Sequence, residues 1–379
     1  MASLCSCRDG ALPCKLLARG YVVRQRLQGT GACSIFCVSA AKDQGPAAEL
    51  RAAKVVDLGG LDEKGRAAAL QEASLLRGAA VHPNLIRCCD SFVESPHLVL
   101  IMDYAEDGDL QAVVAAAAAR RQSLPEPVVV CWLRQALEGL LHLHQQHVLH
   151  RDLKASNVFL SGGRRRLRIG DFGISTVLDS VSFATSCVGT PAYMAPEVML
   201  HQRYDYSADV WSMGCICFEL CALRVPFQAA TLVQLLSAVT EEEPDWTAWK
   251  AEGLAMALRE PCAQMLQKEA TRRPTVAELL LEPPLLRPGA GRAHGEAAAP
   301  EWDAVARDDV PEELWDLVAA PTAPSGGAAQ KGDEGWQRIG DTTLSTVAGS
   351  DASPASASSS LHPTTALNMS MDGFRELLA

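Results

Sequence analysis

Three short stretches carry side chains whose types and spacing could do chemistry. In "HVLHRDLKASNVFL" Asp152 stands five residues before Asn157, and "IGDFGIS" follows with Asp171. In "LQGTGACSIF", Leu27 to Phe36, Gly29 and Gly31 flank Thr30, and Ser34 stands where a third glycine would complete a phosphate-cradling loop. Glycine lets backbone approach phosphate oxygens closely, while carboxylates and an amide place charge around them. Singly, each has a plainer use, because Asp and Asn cap turns and a glycine pair closes a hairpin. The whole set is a pattern that chance makes rarely.

These groups need elements to hold them. Residues 21–110 alternate the β-rich runs "YVVRQRL", "SIFCVSA", "LRAAKVV", "LIRCCDSF" and "HLVLIMDY" with one helical stretch, "EKGRAAALQEASLLRG". That pattern predicts a small sheet with one helix. Asp62 is the helix's N-cap and Gly78 its stop, and Glu72 lies a turn before Leu75 and Leu76, on their inward face. From Asp109 to about Leu286 the period turns helical. Val129, Leu133, Ala136, Leu137, Leu140 and Leu141 keep one face of a long helix, and "ADVWSMGCICFELCAL" is apolar on nearly every side, as a helix in the middle of a lobe would be. The class expected is α+β.

Beyond residue 286 the composition shifts to Pro, Ala, Gly and Ser, and 287–379 reads as mostly disordered. One piece, "DDVPEELWDLV", differs. Asp309 could cap it, Pro311 fits a first turn, and Val310, Leu314, Leu317 and Val318 share a face. It reads either as a short helix over 309–318 that docks on this chain or a protein partner, or as a solvated acidic stretch with chance periodicity.

The net charge of −11 is concentrated in this tail, which has six Lys or Arg against fourteen Asp or Glu. An acidic chain without a basic stripe gives no reason to expect direct nucleic-acid binding. No apolar run reaches the roughly 18 residues of a membrane span. The first twenty residues lack the apolar core of a signal peptide. The thirteen cysteines fall largely within apolar periodic segments, as free thiols in a reducing, cytoplasmic setting would. Cys5, Cys7 and Cys14 lack the C-x-x-C spacing of a metal cluster.

The quoted stretches resemble the catalytic and metal-binding loops of eukaryotic protein kinases, from about Tyr21 to Leu286. The resemblance implies a two-lobed fold: an extension over 1–20, a β-rich lobe over 21–105, a helical lobe over 106–286, then the tail. It also implies transfer of the γ-phosphate of ATP to Ser or Thr hydroxyls of proteins, with Mg²⁺, or Mn²⁺, as cofactor. By the resemblance Asp152 accepts the hydroxyl proton, Lys154 reaches the transferring phosphate, and Asn157 and Asp171 hold the metal. Leu27, Gly29, Thr30, Gly31, Ser34 and Phe36 form the lid over ATP, with Phe36, or Val38 if the insertion-like "AAKDQGPAAEL" shifts the alignment, where a small valine usually covers adenine. Ala52 joins the pocket, and Lys54, paired with Glu72, reaches the α/β-phosphates. Met102 is the gatekeeper, Asp103 and Ala105 present backbone to adenine, and Asp109 lies near the ribose.

The same resemblance assigns supporting roles. His150, Arg151 and Phe172 belong to the two loop motifs, Asp209 ties the catalytic loop to the buried helix, and Arg273 of "RRPT" pairs with Glu197 of "APE". "DFGISTVLDSVSFATSCVGTPAYMAPE" is the activation segment, with Ser186 at the activating phosphate position, Thr185 beside it, and Thr190 contacting the catalytic Asp. A phosphate on Ser186 could order the segment against Arg151.

"HRDLKASN" and "GTPAYMAPE" are of the serine/threonine type. "LPEPVVVCWLRQALEGLLHLHQQHVLHRDLKASNVFL", "GDFGISTVLDS" and "SCVGTPAYMAPEVM" are similar to the NIMA-related kinases, which implies an association with centrosome, cilium or cytoskeleton. The tail lacks the sustained heptads by which several members form coiled coils. Ile174, after the DFG glycine, suggests threonine acceptors. A second reading is a pseudokinase scaffold, fed by Ser34 and Phe36. Lys54, Asp152 and Asp171, the residues that pseudokinases usually lose, are all present, which favours activity.

Overall fold

The computed structural model describes residues 16–30, 33–43, 45, 48–67, 69–70, 73, 81–171, 190–249, 257–282, 285 and 310–318. All of these lie in the first of two compact units, residues 1–323.

Five strands, β1 (Tyr21–Thr30), β2 (Cys33–Ala40), β3 (Leu50–Asp57), β4 (Cys88–Glu94) and β5 (His97–Asp103), form an antiparallel sheet ordered β1-β2-β3-β5-β4. Side chains alternate between its faces. Val38, Ala53, Val55, Val99 and Ile101 build an outer cluster, while Val56, Leu98 and Leu100 join the larger core on the inner side. The outer cluster is closed by Leu16, only 1 % exposed, from a helical turn that precedes β1. Arg19 pairs with Glu94 at 2.7 Å and lies over the Phe92 ring, so the packed lobe begins within the stretch expected as an extension. Asp62 caps a helical turn at 63–67 by accepting from the Gly65 N–H at 2.8 Å. Glu72, Leu75, Leu76 and Gly78 fall outside the described residues.

The second lobe is helical around one β-hairpin. Its helices are α1 (Leu110–Arg120), α2 (Glu126–Gln145), α3 (Pro196–Met199), α4 (Tyr206–Ala222), α5 (Leu232–Glu241), α6 (Arg259–Met265) and α7 (Val276–Leu279). The hairpin pairs β6 (Val158–Ser161) with β7 (Arg166–Ile169), and Val158, Leu160, Leu167 and Ile169 drop into the core. Helix α4 is buried along most of its length. Gly214 lets α6 approach it, since a Cβ there would lie 2.8 Å from that of Met265. The chain thus has the two-lobed, α+β architecture that its sequence implies.

In the tail, α8 (Glu312–Val318) follows a buried Val310. The apolar face expected there is corrected in one respect: Leu317 is 51 % exposed, and Trp315, not counted on that face, is buried together with Val318. Indole area outweighs the leucine's when the helix chooses its rotation. No helix among the described residues is long and apolar enough to cross a membrane, and the described cysteines are free thiols.

Candidate active site

The buried helix α4 supplies the anchor. Asp209, 2 % exposed, accepts the backbone N–H of His150 (2.9 Å) and of Arg151 (3.0 Å), and its Oδ2 lies 3.0 Å from His144 Nε2. Burial opposes its charge, but the His144 hydrogen bond and the neighbouring imidazoles hold the carboxyl below its ordinary value. The bonds fix Arg151 at φ +68°, a left-handed conformation that a non-glycine residue adopts only under constraint.

His150 is fully buried, and burial pushes its imidazole below the ordinary value despite nearby Asp209. A neutral ring fits its contacts: Nε2 donates to the Gly170 carbonyl at 3.0 Å, and Nδ1 accepts from the Asp152 N–H at 3.3 Å. One side chain therefore joins the loop before Asp152 to the strand end before Asp171.

At the loop's centre Lys154 Nζ reaches both oxygens of Asp152, at 3.0 and 2.8 Å. Asn157 Nδ2 donates to the Asp152 carbonyl at 2.7 Å and to Oδ2 at 3.0 Å. Across the cleft, Lys54 Nζ lies 2.7 Å from Asp171 Oδ1. Burial disfavours both charges, yet each offsets it for the other, so the carboxyl of Asp171 is lowered and the ammonium of Lys54 raised. Asp171 itself sits at φ +56°.

The sheet register decides what faces Lys54. Ala52 pairs with Met102 and Lys54 with Leu100, while Ile35 and Cys37 stand opposite Lys54 and Ala52 on β2. Side chains directly opposite across strands share a face. Phe36, expected to cover the base, instead packs with Val38 against the outer cluster that Leu16 closes. The β2–β3 register sets this, because Phe36 pairs with Ala53 while Ile35 pairs with Lys54, and a one-residue offset changes faces. The same register brings in Cys37 and Cys33, which sequence reasoning missed; Cys33 lies near enough to feel both Lys54 and Asp171. Gly29 pairs with Ser34 and Thr30 with Cys33 in the strand ladder, and Ser34 Oγ accepts from Arg26 at 3.3 Å. Leu27 is exposed on β1.

Between the lobes, Met102 packs against the main core. Asp103 gathers Arg51 from β3, Arg87 (3.6 Å) and Arg168 from β7 (3.7 Å), and its N–H donates to the Arg87 carbonyl. Ala105 is half-buried beyond it. Asp109 caps α1, accepting the Ala112 N–H at 2.8 Å, and burial raises its carboxyl above the ordinary value.

Phe172, Ile174, Thr185 and Ser186, with Gly31 and Glu72, lie outside the described residues. Thr190 opens a 3₁₀ turn, Thr190–Tyr193. Beyond it, Arg273 bonds Glu197 with both terminal nitrogens, at 2.6 and 2.8 Å. Nearby Tyr193 Oη donates to Glu219 Oε2 at 2.6 Å, and both groups are buried. Burial pushes Glu219 from about 4.5 up to about 7, against the lowering effect of the tyrosine bond. A raised carboxyl makes the folded chain hold an extra proton at this site, so the contribution of Glu219 to stability is full in acid and is lost as pH rises through about 7. Glu219→Gln is therefore expected to raise Tm at pH 8 by the equivalent of up to roughly 3 kcal/mol and to lose most of that gain at pH 5. Equal gains at both pH values would show that charge is not the cause.

Residues 23–284 match the protein kinase domain family. The chain is 34 % identical over 272 residues to Serine/threonine-protein kinase Nek11 of Homo sapiens, which covers 72 % of this chain and 41 % of that protein. It is 35 % identical over 238 residues to human Serine/threonine-protein kinase Nek2, covering 61 % of this chain and 52 % of that one. A similarity of 34 % over 203 residues reaches human Serine/threonine-protein kinase Nek5, with 53 % and 28 % covered. The chain thus spans about two fifths of the length of its Nek11 relatives. With the two-lobed architecture and the match over most of its length, the chain belongs to the protein kinase family, and its similarity within that family is to the Nek serine/threonine kinases.

Proposed function

We infer that this chain transfers the γ-phosphate of ATP to serine or threonine hydroxyls of proteins. The observation that carries the reading is the convergence of Asp152, Lys154, Asn157 and Asp171 from the helical lobe with Lys54 of β3, whose ammonium meets Asp171 across the cleft. Asp152 orients the acceptor hydroxyl and takes its proton, Lys154 neutralises charge on the phosphoryl group in flight, and Lys54 holds the α/β-phosphates.

The donor set fits a hard divalent cation. Asp171 is kept ionised by Lys54, and Asn157 adds an amide oxygen. Among the described residues no cluster of three or more His, Cys, Asp or Glu forms a metal cage. Two protein donors suit Mg²⁺, which keeps water and substrate phosphates as its other ligands. When bound, the ion would neutralise charge on the phosphates.

The test is the full-length chain with Mg²⁺, labelled ATP and casein. Label is expected to enter casein and to stop when EDTA removes the metal; incorporation indifferent to EDTA, or none at all even after phosphorylation of the activation segment, would sink the reading. A finer effect concerns the lid. Ser34→Gly removes the Oγ that Arg26 holds and restores backbone freedom, so the KM for ATP is expected to fall about twofold. An unchanged or higher KM would count against it.

A further inference from the structure

The groove that receives α8 is built from α1, the start of α2 and the β6–β7 turn, none of which the proposed chemistry uses directly. Trp315 is 2 % exposed, with its ring centre 6.3 Å from that of Trp132. Leu317 and Val318 line a cleft with Val113, Ala117, Leu124 and Pro125. The turn adds charge complementarity: Arg165 pairs with Glu312 in the acidic first turn of α8, and Arg164 donates to the Val318 carbonyl. Trp132 is itself pinned to the turn, since its Nε1 donates to the Arg164 carbonyl at 2.8 Å.

The other side of the same turn is fastened to the segment that leaves the hinge. The Arg164 N–H donates to Asp107 Oδ2 and the Gly162 N–H to Glu106 Oε1, each at 2.8 Å. The Asp107 N–H donates to the Leu160 carbonyl at 3.1 Å, and the Leu160 N–H to the Gly108 carbonyl at 2.8 Å. Asp109 bridges to Phe159, and β6 begins immediately after Asn157. A turn of four residues is thus gripped from outside by the tail and from inside by the hinge and the metal-binding end of the catalytic loop.

We propose that residues 310–318 are an intramolecular clamp: docked, α8 steadies the turn at 162–165 and through it the segment Glu106–Asp109, so that the nucleotide pocket is preformed. This rests on the nucleotide-binding reading above. Coupling between two sites is reciprocal, so a nucleotide favoured by docking must tighten docking by the same factor.

Hydrogen exchange on the full-length chain, with and without Mg²⁺ and a non-hydrolysable ATP analogue, tests this. Exchange at 312–318 and 160–166 is expected to slow at least about threefold when the analogue binds. In full-length Trp315→Asp, exchange at 106–109 should quicken and the KM for ATP rise about three- to tenfold, with kcat within about twofold. Equal analogue affinity in both forms would overturn the clamp, leaving α8 as packing alone. If Trp315→Asp does not fold, tail exchange in the unmodified chain decides: indifference to a bound analogue overturns the proposal. An unmodified chain that binds no analogue would overturn the kinase reading and the clamp together, an outcome distinct from equal binding by both forms.

Discussion

Asp152→Asn is expected to leave the chain folded and to reduce the proposed phosphotransfer by about 10²- to 10⁴-fold, the range expected when a positioned general base is lost. The amide is nearly isosteric and can still accept from Lys154 and Asn157 through its oxygen, so the loop keeps much of its geometry. It cannot take a proton or carry charge. Because the loop hangs from Asp209 through the N–H groups of His150 and Arg151, the substitution does not touch its anchor. The measurement is kcat and KM for ATP beside a Tm. A fall in kcat with the KM for ATP unchanged within about threefold places the loss in the chemical step. Activity surviving within tenfold, or a Tm drop of many degrees, would remove Asp152 from its assigned role.

Arg273→Leu acts on stability instead. Its guanidinium is fully buried against a Glu197 that is 7 % exposed, and it also donates to the carbonyls of Gln267 (2.7 Å), Ser207 (3.0 Å) and Lys268 (3.1 Å) and lies over the Trp211 ring. Removing it leaves a buried carboxylate without its counter-charge, at a cost of about 3–5 kcal/mol. For a domain of this size that corresponds to a Tm lower by roughly 6–20 °C. Glu197→Leu in the same chain removes the stranded charge, so the double variant is expected to recover part of the loss. A single variant within 1 kcal/mol of the parent in urea unfolding, or a double variant worse than both singles summed, would show that the pair is not what holds these segments together.

Much of this was legible in the sequence because the groups proposed to handle charge sit in short contiguous stretches. The spacing within "HRDLKASN" brought Asp152, Lys154 and Asn157 together, and β-rich runs gave all five strands of the sheet. What stayed hidden depends on register and rotation. The face taken by Phe36 follows from its pairing with Ala53, and a shift of one residue would reverse it. The rotation of α8 was misjudged because periodicity weighs leucine and tryptophan alike, whereas burial does not. Leu16 sat outside any periodic run, so nothing local marked it as core. Asp109 illustrates a different point: it stands where the helical period begins, an N-cap position like that of Asp62, yet the resemblance assigned it only to the ribose.

The ion cluster at Asp103 has a mechanical consequence. Its arginines arrive from β3, from residue 87 and from β7, so one carboxylate is tied to both lobes at the point where the chain crosses between them. The carboxylate they share is 16 % exposed, so the crossing is held by charge from both sides and not by apolar packing alone. Asp103 is thereby the shared fastening of β3, β7 and the crossing segment, and its loss would release the arginines of both lobes from it at once.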